Sequence, residues 1–320
     1  KEYRRQRQMC IRDSVKTGAG RLTLGGNNLF SGSIRIQQGT VFASSPAALG
    51  STIGATLIER GARLEVDSPL SSLSEKLYSK PSTLSPPATG FAELALNCQY
   101  QCSVMRPIGL AADLQLLQTY SGYSPSPIVI LLGAGGASAS FESASSSAFE
   151  IQLSRSLAAT GTTIYSVQAP IATAAGGLRV SNGVQVELSS SNTFTGPLNI
   201  DSGIVSLLSG ATGSNGIIDD AVAVGLQSQG GLVLHSNEAL GSLSGAGAVT
   251  IPSGATLSVG ANNLNTTFTG IISGAGGLAK VGAGVLTLAG ANQYTGSTVV
   301  NGGYLPVSYT HLRAHETRED

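Results

Sequence analysis

Charge is scarce in this chain: only 11% of its 320 residues are Asp, Glu, Lys or Arg, against roughly 25% in an ordinary globular domain. There is no Trp, and there are only 3 His, 3 Cys and 2 Met. A chain this poor in charge does not read as a cytosolic enzyme. No run of about 18 apolar residues occurs, so no membrane-spanning helix is expected. The longest candidate, Ile128 to Gly136, is too short. No signal peptide opens the chain. Acidic and basic side chains balance at 18 each, and outside the two ends nothing resembles a basic patch for nucleic acid.

The charges that exist are segregated. Residues 1–14 carry five basic and two acidic side chains, and residues 306–320 carry two basic and three acidic ones. The strings Arg7-Gln8-Met9-Cys10-Ile11-Arg12-Asp13-Ser14 and Val307-Ser308-Tyr309-Thr310-His311-Leu312-Arg313-Ala314-His315-Glu316 both resemble translated sequencing-adaptor read-through. The expectation is that 1–14 and 306–320 are non-native flanks of an internal fragment.

What the chain has instead is Gly, 42 residues of it, and one phrase written four times. It reads Leu22-x-Leu24-x-x-x-Asn28-x-Phe30-x-Gly32, then Val186-x-Leu188-x-x-x-Asn192-x-Phe194-x-Gly196. It returns as Leu286-x-Leu288-x-x-x-Asn292-x-Tyr294-x-Gly296. The remaining copy runs Leu257-x-Val259-x-x-x-Asn263 and takes three extra residues before Phe268-x-Gly270. Leu-x-Leu puts two apolar side chains on one face of a strand. Asn suits a corner because it tolerates the left-handed conformation and bonds local backbone. Stacked Asn corners are expected to join their amides in a ladder. The aromatic residue is expected to cap the interior and the Gly to turn the chain again.

One such unit cannot bury its apolar face alone, so the phrase predicts a stack. The expected fold is all-β: a right-handed parallel β-helix, a solenoid of about a dozen coils of roughly 20–25 residues, about 4.8 Å apart. A β-sandwich is the runner-up. The coils are expected over 15–67 and 151–305. Residues 68–150 differ: Gly falls to 6 of 83, and 7 of the 12 prolines lie there. An irregular insertion, atypical coils and a misread segment all fit this span. Ala111 to Leu117 reads as a short helical turn. Cys98 and Cys102 either bridge or stay free, and the reading leans to free thiols.

The stretch from Ile272 to Gly296, with Gly274-Ala275-Gly276-Gly277-Leu278-Ala279-Lys280-Val281-Gly282-Ala283-Gly284 at its centre, resembles the autotransporter-associated β-strand repeat. Lys16-Thr17-Gly18-Ala19-Gly20-Arg21-Leu22-Thr23-Leu24 is similar to the same segment. The resemblance implies a passenger region of a type V secreted protein of Gram-negative bacteria. It implies a cell-surface or secreted location, with an outer-membrane barrel elsewhere in the parent. It further implies a stalk or adhesin, with host or environmental glycans or matrix proteins as partners.

Sites for other chemistry are thin. Gly274 to Ala279 loosely matches a dinucleotide fingerprint but lacks the following helix, and Lys280 lacks the P-loop spacing. His311 and His315 are four apart with Glu316 beside them, yet lie in the suspected flank. His235 stands in a strand-like segment with no partner in sight. The rival function is a carbohydrate-active β-helix enzyme. It would need two carboxyls facing one cleft and a basic residue beside them. Asp219, Asp220, Asp201, Glu187 and Glu238 are its candidates, and between 151 and 305 the only bases are Arg155, Arg179 and Lys280. Asp219-Asp220 reads as a solvated corner. No catalytic, cofactor-binding or metal-ligating residue is assigned, no cofactor is expected, and the chain is read as a non-enzyme.

Overall fold

The computed structural model describes residues 13–308, except 46, 68–75, 123–126, 134–138, 143–148, 160, 173–175 and 209–215. Its elements are strands joined by turns, and every strand pairing is parallel. No helix among the described residues is long and apolar enough to cross a membrane.

Strands stack in chain order, each on the equivalent strand one coil earlier. One face begins Ser14–Lys16, Ile34–Ile36, Ala55–Glu59, Lys76–Lys80, Ile108–Leu110. A second runs Arg21–Leu24, Gly39–Ala43, Ala62–Asp67, Ala92–Asn97, Leu114–Gln118, Glu150–Arg155 and Gly177–Val180 into Leu198–Leu207. A third runs Gln101–Val104, Ile128–Leu132, Thr163–Val167 and Val184–Leu188 into that same strand. Leu198–Leu207 and Ala223–Leu234 are long enough to turn from one face to the next, and so join the two into one sheet. The stacked architecture expected from the phrase is therefore present, whereas a sandwich would be built from antiparallel pairs.

Side chains alternate in and out along each strand, as the period of two requires. Ala62–Asp67 and Val184–Leu188 show it cleanly. Register then lines inward residues into columns. Val41, Leu64, Leu94, Leu116, Leu153, Val180, Ile200 and Leu226 lie one above another. Each is fully buried. A second column holds Ile130, Tyr165, Val186, Val205, Leu232, Val249 and Ile272. Burial of each such side chain contributes about 1.5–3 kcal/mol. Tyr165 fits in its column because its hydroxyl donates to the carbonyls of Ser154 and Leu116, at 2.6 and 3.2 Å. Burial drives its pKa upward, against the pull of backbone contacts with Gln118 and Ser154.

The span 68–150 carries strands of this same stack in its described residues. Ala92–Asn97 pairs with Ala62–Asp67 on one side and with Leu114–Gln118 on the other. The chain advances 30 residues from Arg63 to Glu93, 22 from Ala92 to Leu114 and 37 from Leu114 to Ile151. By contrast it advances 20 from Thr266 to Leu286. The extra length lies between strands. The short helix expected over 111–117 is corrected: Leu114–Gln118 is a strand. Parallel partners on both sides override the helical propensity of its Leu and Gln residues. Cys98 and Cys102 are also corrected: they form a disulfide, Cα to Cα 6.0 Å, that braces the corner between Ala92–Asn97 and Gln101–Val104.

The flanks 1–14 and 306–320 lie mostly outside the described residues. Their described members join the stack: Ser14 pairs with Ile34, the Asp13 carboxylate accepts the Ser33 N–H, and Val307 bridges to Leu288.

Candidate functional site

The repeated phrase builds corners, and each of its residues touches the next coil. Asn192 Oδ1 accepts the Ile171 N–H at 2.8 Å, from one coil earlier, and its Nδ2 donates to the Ile217 carbonyl at 2.9 Å, one coil later. Asn28 Nδ2 donates to the Ala48 carbonyl at 2.7 Å, and Asn292 Oδ1 accepts the Ile272 N–H at 2.9 Å. The expected amide-to-amide ladder is thus replaced by amide-to-backbone bonds. The neighbouring coils carry Ile171 and Ile217 opposite Asn192, Ala48 opposite Asn28 and Ile272 opposite Asn292, so each Asn meets a main chain rather than another Asn. Among the phrase asparagines only Asn263, in the copy with three extra residues, has positive φ, at 61°.

The phrase glycines have a different purpose from the expected turn. Gly196 donates its N–H to the Gly176 carbonyl at 3.0 Å, and a Cβ on Gly196 would sit 2.5 Å from that oxygen. Its φ is not positive. What it needs is close approach between backbones, one on another. Phe194 and Phe268 are fully buried, as interior caps should be. Phe30 and Tyr294 are partly buried against the same core.

The sequence reading missed the lysine. The Lys280 ammonium donates to the carbonyls of Val281, Gly282 and Gly302, and its side chain is buried. Burial lowers its pKa. The signal was present: Lys16 precedes Leu22 by the same six positions as Lys280 precedes Leu286.

The candidate carboxylates and bases are largely engaged with one another or with the main chain. Arg179 lies between Glu150 and Asp201, with contacts of 2.8 and 2.7 Å across three coils. Those two partners, Glu150 first, raise its pKa. Arg21, Arg35, Arg60 and Arg63 likewise meet Glu65, Glu59, Asp113 and Glu93. Asp219 Oδ1 accepts the Ala221 N–H at 2.9 Å, a local turn bond. Glu187 lies on the outward side of its strand. His235 is exposed at the end of Ala223–Leu234. Gly277–Lys280, where the loose dinucleotide match ends, is a strand between two parallel neighbours, so no helix N-terminus is there to hold a phosphate. His311 and His315 lie outside the described residues.

One pair stands apart. Glu238 is 4% exposed, and its carboxylate accepts the N–H groups of Ile217 and Ile218 at 2.9 and 3.0 Å. Burial pushes its carboxyl up to about 7, and the Asp220 charge adds to that push, while the two N–H bonds oppose it. Asp220 Oδ1 is buried with no hydrogen-bond partner among the described residues. Both line a cavity of about 230 Å3 with Asn237, Thr256 and Ser258. No Lys or Arg among the described residues lines it.

Comparison with known proteins finds the Passenger-associated-transport-repeat family at residues 15–41, 186–207 and 278–307. Those windows contain Lys16, Asn192 and Lys280, the corner residues just described. The chain is also 36% identical over 126 residues to the adhesin BmaC autotransporter of Brucella suis biovar 1 (strain 1330). That match covers 37% of this chain and 4% of the relative, so the chain spans a small part of that protein's length. No solved structure matches. The repeat matched at three places and the likeness to part of this adhesin support an autotransporter passenger.

Proposed function

We propose that this chain is a stiff, non-enzymatic stretch of an adhesive passenger, exposed at or released from the surface of a Gram-negative bacterium. The observation that carries the proposal is the unbroken column from Val41 to Leu226, which ties successive coils into one rod through a continuous core. Such repeat proteins work as extended surfaces rather than as deep pockets. The described part of 76–150 belongs to that rod as longer, atypical coils. The parent's outer-membrane barrel would anchor it, and host or environmental glycans or matrix proteins are its partners. Purified chain immobilised on beads should retain glycan-coated or matrix-coated surfaces. Beads no more adherent than those carrying an unrelated β-rich protein would reduce the chain to an inert stalk.

A second reading, a glycan-cleaving enzyme, rests on Glu238 and Asp220. A carboxyl held near neutral beside a carboxylate is the acid–base pattern of glycosidases. Against it, both Glu238 oxygens already hold backbone N–H groups. Reducing-end release from a polysaccharide panel, abolished by Glu238→Gln, would establish this reading in place of the first.

A further inference from the structure

An open groove of about 530 Å3 crosses four successive coils. Its walls come from Arg155, then Asn182 and Gln185, then Ser202 and Ile204, then Gln229. Register fixes that order, since Gln185 lies beside Ile204 and Ser202 beside Gln229. The groove offers amides and a hydroxyl, with exposed aliphatic surface at Ile204, 39% exposed, and Leu157, 91% exposed.

Arg155 is the one charged side chain that lines it. Five other arginines meet a carboxylate on another coil; Arg155 has none among the described residues. Its guanidinium instead bonds the carbonyls of Asn182, at 2.9 Å, and Gly161, while Asn182 Nδ2 donates back to the Arg155 carbonyl at 3.0 Å. The clasp holds a positive charge at a fixed place with no acid among the described residues to neutralise it.

We propose that this groove binds an acidic oligosaccharide. The inference rests on the adhesin reading and names its ligand class. Sugar hydroxyls suit the amides of Gln185 and Gln229, and sugar C–H faces suit Ile204 and Leu157. A uronic carboxylate suits Arg155, for charge-assisted bonds to guanidinium are the strong ones. Coils about 4.8 Å apart present these groups as a repeating row along the rod, which favours a linked chain over a single sugar.

The test compares short galacturonic acid oligomers with galactose oligomers of the same length, using the whole chain and calorimetric titration. The acidic series should bind at least tenfold more tightly, and the advantage should shrink as salt screens it. Gln229→Glu places a negative charge in the groove at an exposed side chain and should weaken acidic binding by roughly tenfold. Arg155→Gln should remove the preference for the acidic series; a matching unfolding midpoint would show that the clasp's loss had not undone the fold. Equal binding of both series overturns the inference, as does acidic binding that neither substitution alters. In those cases the chain still binds a glycan and the adhesin reading stands. If neither oligomer series binds while coated beads still adhere, only the groove assignment falls; if beads also fail, the adhesin reading falls with it.

Discussion

Lys16 and Lys280, 264 positions apart, make the same three bonds. Each ammonium donates to the carbonyls one, two and 22 residues further on: Thr17, Gly18 and Gln38 in one case, Val281, Gly282 and Gly302 in the other. The first two carbonyls belong to the lysine's own corner and the third to the next coil. A single charge thereby gathers oxygens that a tight corner points inward and leaves without N–H donors. Lys280→Met should take the donor from three oxygens in a part-buried corner that water reaches only in part, at a cost of about 1–3 kcal/mol. Lys16 is half exposed, so water replaces its bonds and Lys16→Met should cost less. Urea unfolding of both variants checks the order; equal losses would mean that the carbonyls, not burial, set the effect.

Gly20 and Gly284 occupy the same place in the phrase and differ in what lies beside them. A Cβ on Gly20 meets nothing within 4 Å among the described residues, whereas on Gly284 it would strike the Leu264 carbonyl oxygen and lie 2.6 Å from that of Asn263. Neither has positive φ, so backbone strain does not enter. Gly284→Ala should therefore destabilise by about 1–3 kcal/mol through overpacking against the coil beneath. Gly20→Ala should be neutral or slightly stabilising, since Ala reduces the freedom of the unfolded chain. Thermal midpoints of the two single variants decide the matter.

The stack was legible in the sequence because its cause is local and repeats. Leu286-x-Leu288 dictates an inward pair wherever it stands, and both residues are buried. The coils of 76–150 were not legible, because what defines a coil is register with its neighbours, and Leu114–Gln118 obtains that from Ala92–Leu96 and Ile151–Arg155 rather than from a phrase of its own. The disulfide needed geometry too: a spacing of four allows both a bridge and two thiols. Among the carboxylates, type and number were visible but partners were not. Asp201 gave no sign of sharing Arg179 with Glu150, which lies 51 positions away. The groove at Arg155 escaped the sequence for the same reason, since its walls come from four separate coils.

Asn192 bonds in both directions along the rod. Its substitution by Ala would strand the Ile171 N–H in a buried corner, while the Ile217 carbonyl loses the amide but keeps the residue's own backbone N–H at 2.8 Å. The expected loss is about 1–3 kcal/mol, the cost of one unsatisfied buried N–H. Asn192→Asp should restore the acceptor to Ile171 but not the donor to Ile217, and should recover only part of the loss. Hydrogen exchange at the Ile171 amide gives a local readout: faster exchange in the Ala variant, near-native exchange in the Asp variant. Unchanged exchange at Ile171 in the Ala variant would show that the side chain does not hold the corner.

Glu238 makes the stability of the rod depend on pH in a direction opposite to most carboxylates. Its pKa in the folded chain is raised from 4.5 to about 7, chiefly by burial. Between those values the folded state keeps a proton that the unfolded chain has released. Stability from this group is therefore fully present below about pH 4.5 and is lost as pH rises through 7. A shift of this size corresponds to about 3 kcal/mol. Glu238→Gln keeps a neutral oxygen to accept the Ile217 and Ile218 N–H groups and removes the titration. Relative to the native chain, this variant should gain stability between pH 5 and 8, with the difference largest at the alkaline end. Denaturant midpoints for the two proteins at pH 5, 6.5 and 8 measure it. A native chain whose midpoint difference from Glu238→Gln stays constant across that series would mean that Glu238 is ionised throughout, its charge held by the two backbone N–H groups alone.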